Sequence, residues 1–286
     1  MRRPTATSPL AFTATVAEAF PPGPRARAWR VPAAALRAAV PVPLLVPAAL
    51  LAAWQLASSR GWVAEQILPS PASVAETLVT LARSGELWGH LRASLSRVAA
   101  GYALAAGAGL AGGALLGLSR TAEAALGTIF KAYAQTPVIA WVPLGILVFG
   151  IEDRLLVALI AMAAVVPVLL GAWHGVRGVP PAWLEVARVY GLSGWRLALR
   201  VVAPAALPQA LTGLRYGLNQ AWLTLVAAEL VGTTEGLGYL IVEARELFQL
   251  DVVLAAIAVL GATGLVLDRL FSSLESRLLS WRPRGF

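Results

Sequence analysis

Residues 185–194, with the sequence EVARVYGLSG, form a charged, glycine-containing stretch between two strongly apolar runs. They belong to a longer segment, 177–211, which reads RGVPPAWLEVARVYGLSGWRLALRVVAPAALPQAL. Pro180 and Pro181 favour the start of a helix, because proline needs no backbone donor at the first helical position. Gly191 favours its end, because glycine readily adopts the left-handed conformation that often closes a helix. The stretch therefore predicts a short helix that stops at a tight glycine turn.

A second short helix is expected directly after this turn. Ser193 is suited to cap its first turn, and Pro204 is expected to end it. On the first helix, Trp183, Ala187 and Tyr190 lie at helical spacing and share one face, which leaves the charged side chains free for water or a partner. A rigid projection of this kind has the shape of an element that docks into a groove.

The rest of the chain has the composition of a membrane protein. Of its 286 residues, 58% are hydrophobic and 13% are charged, which is too apolar for an ordinary soluble domain. Four uncharged runs of 20 to 22 residues match the length of about 20 residues that a helix needs to cross the hydrocarbon core. They lie at 38–59, 98–119, 132–151 and 155–176. Weaker runs at 216–228 and 252–267 raise the expected number of spans to six.

These runs predict an all-α integral membrane protein with six transmembrane helices. The spans are expected at about 38–59, 94–118, 126–150, 154–175, 208–231 and 250–270. Residues 1–37 are rich in Pro, Ala, Thr and Arg and are interpreted as a disordered cytoplasmic tail, with an organellar transit peptide as the alternative. If the N-terminus is inside, 17 of the 23 Lys and Arg residues fall on the cytoplasmic side. This bias predicts that both termini are cytoplasmic.

Local signals predict two further features of the fold. Ser70, Pro71 and Gly85 mark the cap, first residue and end of a short helix on the outer side. Gly109 and Gly113 lie four residues apart in the second span, a spacing that lets helix backbones approach closely in lipid. The sequence leaves open whether their neighbour is a helix of this chain or of another subunit.

Polar residues inside the spans are candidates for lining a transport pathway. Pro137 and Pro143 should kink or break the third span near mid-membrane, although a purely structural kink is an equal alternative. The candidate pathway residues are Gln135, Thr136, Pro137, Asn219, Gln220 and Glu229. A structural role, capping the turn that follows it, is the favoured alternative for Glu229.

Several kinds of chemistry lack the residues they need. The chain has no cysteine, and its two histidines, His90 and His174, lie far apart in the sequence. Few residues are therefore available to bind a metal or to form a hydrolytic centre. Its one lysine, Lys131, is not in a phosphate-binding loop. If ATP drives this protein, another chain must bind it. The net charge of +8 follows a membrane topology and does not indicate a nucleic-acid partner.

The charged segment resembles the EAA loop of ATP-binding-cassette (ABC) importer permeases. In that loop Glu-Ala-Ala is followed by Gly at the seventh position, an aliphatic residue at the seventeenth and Pro at the twentieth. The residues on this register are Glu185, Ala187, Gly191, Val201 and Pro204. The departures are small apolar exchanges: Val186 for the middle Ala, Val201 for Ile and Ala203 for Leu.

The resemblance extends from about residue 40 to the end of the spans. The strings that carry it are AAWQLASSRGW, ILPSPASV, SGELWGHL, WVPLGILVFGI, WHGVR, ARVYGLSG, WLTLVAAELV and GLGYL. Together they are similar to the nitrate/sulfonate/taurine branch of these permeases, and most to those for aliphatic sulfonates. Membership implies a type I importer permease fold over 38–280, with residues 177–207 as the cytoplasmic coupling loop.

The resemblance also implies partners and roles. A permease of this family forms a homodimer in the bacterial cytoplasmic membrane, with two cytoplasmic ATPase subunits that bind ATP and Mg²⁺ and an outer solute-binding protein that delivers a small solute. The residues implied to couple to the ATPase are Glu185, Ala187, Arg188, Tyr190, Gly191 and Ser193. The rival interpretations are an ion-coupled secondary transporter, which should carry charges within the membrane, and a membrane-embedded enzyme, which needs a reactive cluster.

Overall fold

The computed structural model describes residues 42–62, 64 and 67–281, and every regular element in these residues is a helix. The α-helices are α1 (Val42–Ser59), α2 (Pro71–Ser84), α3 (Glu86–Leu118), α4 (Arg120–Ala134), α5 (Val142–Phe149), α6 (Asp153–Arg177), α7 (Pro181–Val189), α8 (Gly194–Leu197), α9 (Ala203–Glu229), α10 (Leu237–Glu246) and α11 (Leu250–Leu278). A 3₁₀ turn, Val138–Trp141, precedes α5, and a π-helical turn, Ala198–Val202, joins α8 to α9.

The structure divides into two units, one that ends at Ala53 and one that begins at Trp54. Of the first unit, the structure describes the part of α1 from Val42 to Ala53, so the predicted tail at 1–37 lies outside the described residues. The second unit contains α2 to α11 and the functional segments.

The centre of the second unit is formed by α3, α6 and α9. Glycines bring their backbones together: a Cβ at Gly113 of α3 would lie 2.4 Å from the carbonyl oxygen of Leu169 in α6. A Cβ at Gly171 of α6 would lie 2.6 Å from the Cα of Gly213 in α9. The close contact predicted for Gly113 is therefore confirmed, and the neighbour is a helix of the same chain. Lipid supplies no hydrophobic drive between helices, so such close packing holds the three together.

Four helices in the described part of the chain are long and apolar enough to cross a membrane. They are α3, α6, the continuous helix Gly194–Glu229 and α11. A fifth span is obtained if α4 and residues 138–149, which meet at a bend of 94°, are counted as one. The apolar part of α1 is shorter, Leu45–Ser59. The six-span count therefore stays a prediction.

The predicted break in the third span is present. The α4 helix ends at Ala134, and the chain turns through Pro137 and the 3₁₀ turn before α5 begins. Pro137 and Pro143 both lack a backbone N–H, so a continuous α-helix would lose two hydrogen bonds and meet two ring clashes there. The bend removes both conflicts.

The prediction that Pro204 ends a helix is wrong. The helix that begins at Gly194 continues through Pro204 to Glu229, so it extends well before the span predicted at 208–231. Its π-helical turn explains this, because the N–H of Ala203 donates to the carbonyl of Ala198, five residues earlier. The wider turn accommodates a proline ring that would clash in a regular α-helix.

The short helix predicted between Ser70 and Gly85 is confirmed as α2, and its placement on the outer side stays a prediction. The Ser70 hydroxyl accepts a hydrogen bond from the N–H of Ser73 at 3.1 Å, and Gly85 ends the helix with φ of 89°. Thr77 donates a 2.6 Å hydrogen bond to the carboxylate of Asp251, which attaches α2 to the start of α11. The short helix is thereby packed against the spans.

Candidate functional site

The glycine turn predicted between α7 and α8 has the geometry of a Schellman motif. The N–H of Leu192 donates to the carbonyl of Ala187 at 3.0 Å, and that of Gly191 donates to Arg188 at 2.9 Å. Gly191 has φ of 75°, in the left-handed region that glycine adopts without strain. No atom lies within 4 Å of the position that a Cβ would take. The glycine is therefore required by the backbone conformation and not by crowding.

The turn leaves an exposed surface on α7 and the residues after it, which we call the coupling segment (residues 181–195). Tyr190 is 81% exposed, and the neighbouring Trp183, Val186, Val189 and Trp195 are exposed as well. Contiguous exposed apolar side chains of this size mark interaction surfaces in soluble regions of proteins. The structure thus presents an apolar surface on this segment, and its role in docking stays a prediction.

The six predicted coupling residues all lie on this segment. Glu185, Arg188, Tyr190, Gly191 and Ser193 are exposed. Ala187 differs, because it is 6% exposed and faces the protein.

The structure bears on two local predictions about the coupling segment. Trp183 and Ala187 lie four residues apart on α7 and so share one face as predicted, although Trp183 is exposed and Ala187 is buried. Tyr190 already lies at the helix C-cap, where regular helical spacing stops applying. Ser193 occupies the N-cap of α8, but its side chain makes no capping hydrogen bond.

The coupling segment adjoins a cavity of about 440 Å³. Trp183 lines it together with His174 from α6, Gln209 from α9 and Trp281 after α11. Arg177, the last residue of α6, forms an ion pair with Glu123 of α4. The helix that leads into the coupling segment is therefore attached to the bent third span.

The candidate pathway residues separate into two groups. Gln135, Thr136 and Pro137 lie exposed at the bend after α4, and Asn219 and Gln220 lie exposed on α9. Their role in lining a pathway stays a prediction.

Glu229 lies apart from these residues, in a buried polar network. Its carboxylate accepts a hydrogen bond from Arg97 Nη1 at 2.8 Å and from the Ser94 hydroxyl at 2.8 and 3.0 Å. Arg97 also donates from Nε to Asp153 at 2.8 Å and from Nη1 to the carbonyl of Glu235 at 2.7 Å. The network joins α3, the start of α6 and the end of α9, so it fixes three spans to one another at one end of the bundle.

The same network caps the N-terminus of α10. Three consecutive backbone N–H groups find acceptors there. Those of Gly236, Leu237 and Gly238 donate to His90 Nδ1 at 3.1 Å, Ser94 Oγ at 2.9 Å and Glu229 Oε2 at 2.9 Å. The first turn of a helix otherwise leaves such donors without partners. Glu229 thus performs the capping role that was the alternative to pathway lining.

Sequence reasoning missed Arg97 and Ser94 as parts of this site. The available signal was a basic residue and an acidic residue, Arg97 and Glu229, near the same predicted end of two apolar helices. Charges near lipid are costly unless they are paired. That rule would have suggested the pair, but no local pattern links residues 132 positions apart.

A cavity of about 580 Å³ opens beside the network. Arg97, Glu152, Asp153, Thr233 and Thr234 are among the residues that line it. Asp153 is 70% exposed, whereas Arg97 is almost fully buried. Arg97 is therefore held by one carboxylate that is inaccessible and by another that faces solvent.

Comparison with known proteins identifies the family of this chain. Residues 91–280 match the family described as binding-protein-dependent transport system inner membrane component. The chain belongs to this family. It is 41% identical over 241 residues to the aliphatic sulfonates transport permease protein SsuC of Escherichia coli K12, covering 84% of this chain and 92% of the relative. It is 36% identical over 258 residues to the taurine transport system permease protein TauC of the same strain, covering 88% and 93%.

The fold is that of a chain in a solved ABC transporter. The chain matches a structure of the inward-facing MetNI methionine ABC transporter with a TM-score of 0.58 and 16% identity, covering 69% of this chain and 96% of that chain. The resemblance seen in the sequence is thus confirmed. The protein is a multi-pass membrane permease component of a binding-protein-dependent ABC importer, an assignment favoured over an ion-coupled secondary transporter.

Proposed function

We propose that this permease forms a homodimer that imports a small anionic solute, with an aliphatic sulfonate or taurine as the first candidate and nitrate as a further one. Two ATPase subunits on the cytoplasmic side bind ATP and Mg²⁺, and a solute-binding protein delivers the solute from outside. The names of SsuC and TauC support the solute class. The excess of Lys and Arg on one side supports cytoplasmic termini.

The observation that carries this proposal is the exposed, glycine-terminated coupling segment. Its apolar side chains and the charged Glu185 and Arg188 are presented on a short helix that ends in a fixed turn. Such a helix fits a groove in the ATPase subunit, where apolar contacts supply affinity and the charged residues supply register.

Coupling then follows from the rigidity of the connection. When ATP draws the two ATPase subunits together, each pulls on one coupling segment. The motion enters the membrane through α6 and through the 36-residue helix Gly194–Glu229, between which α7 is held. Tilting of these helices switches the pathway between inward and outward access. Gln135, Thr136, Pro137, Asn219 and Gln220 are proposed to contribute polar groups to that pathway.

Gly191→Val tests the coupling role. A β-branched residue disfavours the left-handed conformation, so the turn after α7 should change direction. The expected result, in proteoliposomes that contain permease, ATPase and binding protein, is loss of solute-stimulated ATP hydrolysis with normal membrane insertion. Gly85→Val is the matched control, because Gly85 also has a positive φ of 89° and open space around its Cβ position. Equal stimulation in the Gly191→Val and wild-type transporters would rule out the proposed coupling role.

Growth tests the solute class. Cells that depend on this transporter should grow with ethanesulfonate or taurine as the sole sulfur source, and Glu185→Lys should abolish that growth by reversing a charge at the proposed ATPase contact. Growth on sulfate, which does not need the transporter, is the control. Uptake of neither sulfonate by the wild-type transporter would contradict the proposed solute.

A further inference from the structure

A second Schellman motif ends α10, and it contains no glycine. The N–H of Gln249 donates to the carbonyl of Ala244 at 2.8 Å, and that of Phe248 donates to Arg245 at 3.1 Å. Phe248 therefore occupies the same position in this turn that Gly191 occupies after α7. Its φ is 58°, and it is the one residue other than glycine with a positive φ in the part of the chain that the structure describes.

Folding alone does not explain a phenylalanine at this position. A large side chain in the left-handed conformation is strained, whereas glycine adopts it freely. Packing in the core does not compensate for that strain, because Phe248 is 88% exposed. The preceding Leu247 is 61% exposed. Strained residues persist where the surrounding structure holds them in place, and they concentrate at functional sites. The side chain is thus displayed at the tip of α10 for contact with something outside this chain.

The tip lies at the opposite end of the bundle from the coupling segment. The helix Gly194–Glu229 leads from one to the other, and its 36 residues span about 54 Å at about 1.5 Å per residue. Since the coupling segment is proposed to meet the cytoplasmic ATPase, the tip of α10 faces the side from which solute arrives.

The α10 helix is also firmly seated. Its first N–H groups are bound by His90, Ser94 and Glu229, and the buried Arg97 compensates the charge of Glu229. A ten-residue helix would be marginal alone, and this cap fixes its direction. Force applied at the tip is consequently passed to α3, α6 and α9.

We propose that Leu247 and Phe248 are the apolar anchor on which the solute-binding protein docks, with α10 transmitting the contact to the spans. The inference rests on the proposed function, because it takes the partner and the orientation from there. Glu243, Arg245 and Glu246 precede the anchor on α10, and Arg245 and Glu246 are exposed, so they can provide the polar rim that accompanies an apolar centre in protein interfaces. Of the possible occupants, the binding protein is the one that the family description names, and the proposed topology puts it on this side.

The test measures affinity and stability in the same variants. The purified solute-binding protein of this transporter, loaded with ethanesulfonate, is titrated onto the complete permease–ATPase complex in nanodiscs. Phe248→Asn and Phe248→Gly should raise the Kd about tenfold or more, since an exposed aromatic anchor carries a large share of interface affinity. Phe248→Leu, which keeps an apolar side chain, should stay within about threefold of the wild type.

The thermal stability of Phe248→Gly should increase or stay unchanged, although its affinity for the binding protein falls. Phe248→Gly relieves the left-handed strain, so its thermal midpoint should equal or exceed that of the wild type. Trp62→Ala, which removes another exposed aromatic residue, is the control and should leave the Kd within about threefold.

Each alternative contact of Phe248 predicts a different experimental result. Unchanged Kd in Phe248→Asn would overturn the anchor. Unchanged Kd with poor membrane insertion would show that Phe248 contacts lipid instead, and unchanged Kd with dissociation of the permease dimer would show that it contacts a second copy. Failure of the wild-type complex to bind any loaded binding protein would instead overturn the proposed function on which this inference rests.

Discussion

Arg97 Nη1 lies 2.8 Å from Oε1 of Glu229, and the two side chains are 6% and 0% exposed. The pair comes from two helices whose other contacts are largely apolar, at the point where the chain leaves α9 and enters α10. Taking two charges out of water is costly, and the attraction between them offsets that cost only when further hydrogen bonds complete the site. Here Ser94, Asp153 and three backbone groups complete it.

Removing one member of this pair should be strongly destabilising. Glu229→Gln keeps the shape of the side chain but removes the charge that faces Arg97, and the expected loss is about 3 kcal/mol. A lower thermal midpoint of the detergent-solubilised permease would show it. Glu246→Gln, on the exposed end of α10, is the control and should have little effect. Equal midpoints for Glu229→Gln and the wild type would show that the network does not hold the spans together.

The second carboxylate around Arg97 should behave differently. Asp153 lies 2.7 Å from Arg97 Nη2 but is 70% exposed, so water compensates its loss. Asp153→Asn should therefore cost less than about 1 kcal/mol, the usual range for a solvent-exposed ion pair. At low salt, the thermal midpoint of Asp153→Asn should also fall by less than the thermal midpoint of Glu229→Gln. A loss as large as that of Glu229→Gln would mean that both carboxylates are needed to hold the buried guanidinium.

Close packing of α3 on α6 gives a third prediction. Gly113→Ala places a methyl group where the carbonyl oxygen of Leu169 lies 2.4 Å away, so the helices must separate. Overpacking of this kind typically costs about 2 kcal/mol. Folded yield and thermal midpoint should both fall.

Gly107→Ala provides the matched comparison, because no atom lies within 4 Å of its Cβ position. It should be neutral or slightly stabilising, since alanine is the better helix former. If both alanine variants were equally stable, the contact between α3 and α6 would tolerate a wider spacing than its geometry indicates.

The sequence predicted the features that depend on neighbouring residues. Ser70 and Gly85 marked both ends of α2, and Gly191 marked the end of α7, because caps and left-handed turns depend on residue type at one position. The break at Pro137 was predictable for the same reason. Family strings then identified the fold, which local signals alone could not have done.

The features that were missed depend on distant residues or on relief of local strain. Pro204 was expected to end a helix, but a π-helical turn accommodates the proline ring and the helix continues. The capping role of Glu229 was anticipated, but its pairing with Arg97 was missed because the two residues lie 132 positions apart. The strain at Phe248 had no sequence signal either, since only the backbone shows that a phenylalanine stands at a glycine position.

The absence of cysteine from the chain allows a direct test of orientation. Tyr190→Cys and Phe248→Cys each place one thiol at a highly exposed site, at 81% and 88% exposure, at the two proposed ends of the bundle. In intact spheroplasts that express the permease without its ATPase subunits, a membrane-impermeant maleimide should label Phe248→Cys, whereas Tyr190→Cys should react only after lysis. The wild-type chain should not react in either state. Labelling of both variants before lysis, or of Tyr190→Cys alone, would contradict the proposed topology and with it the assignment of the coupling segment to the cytoplasmic side.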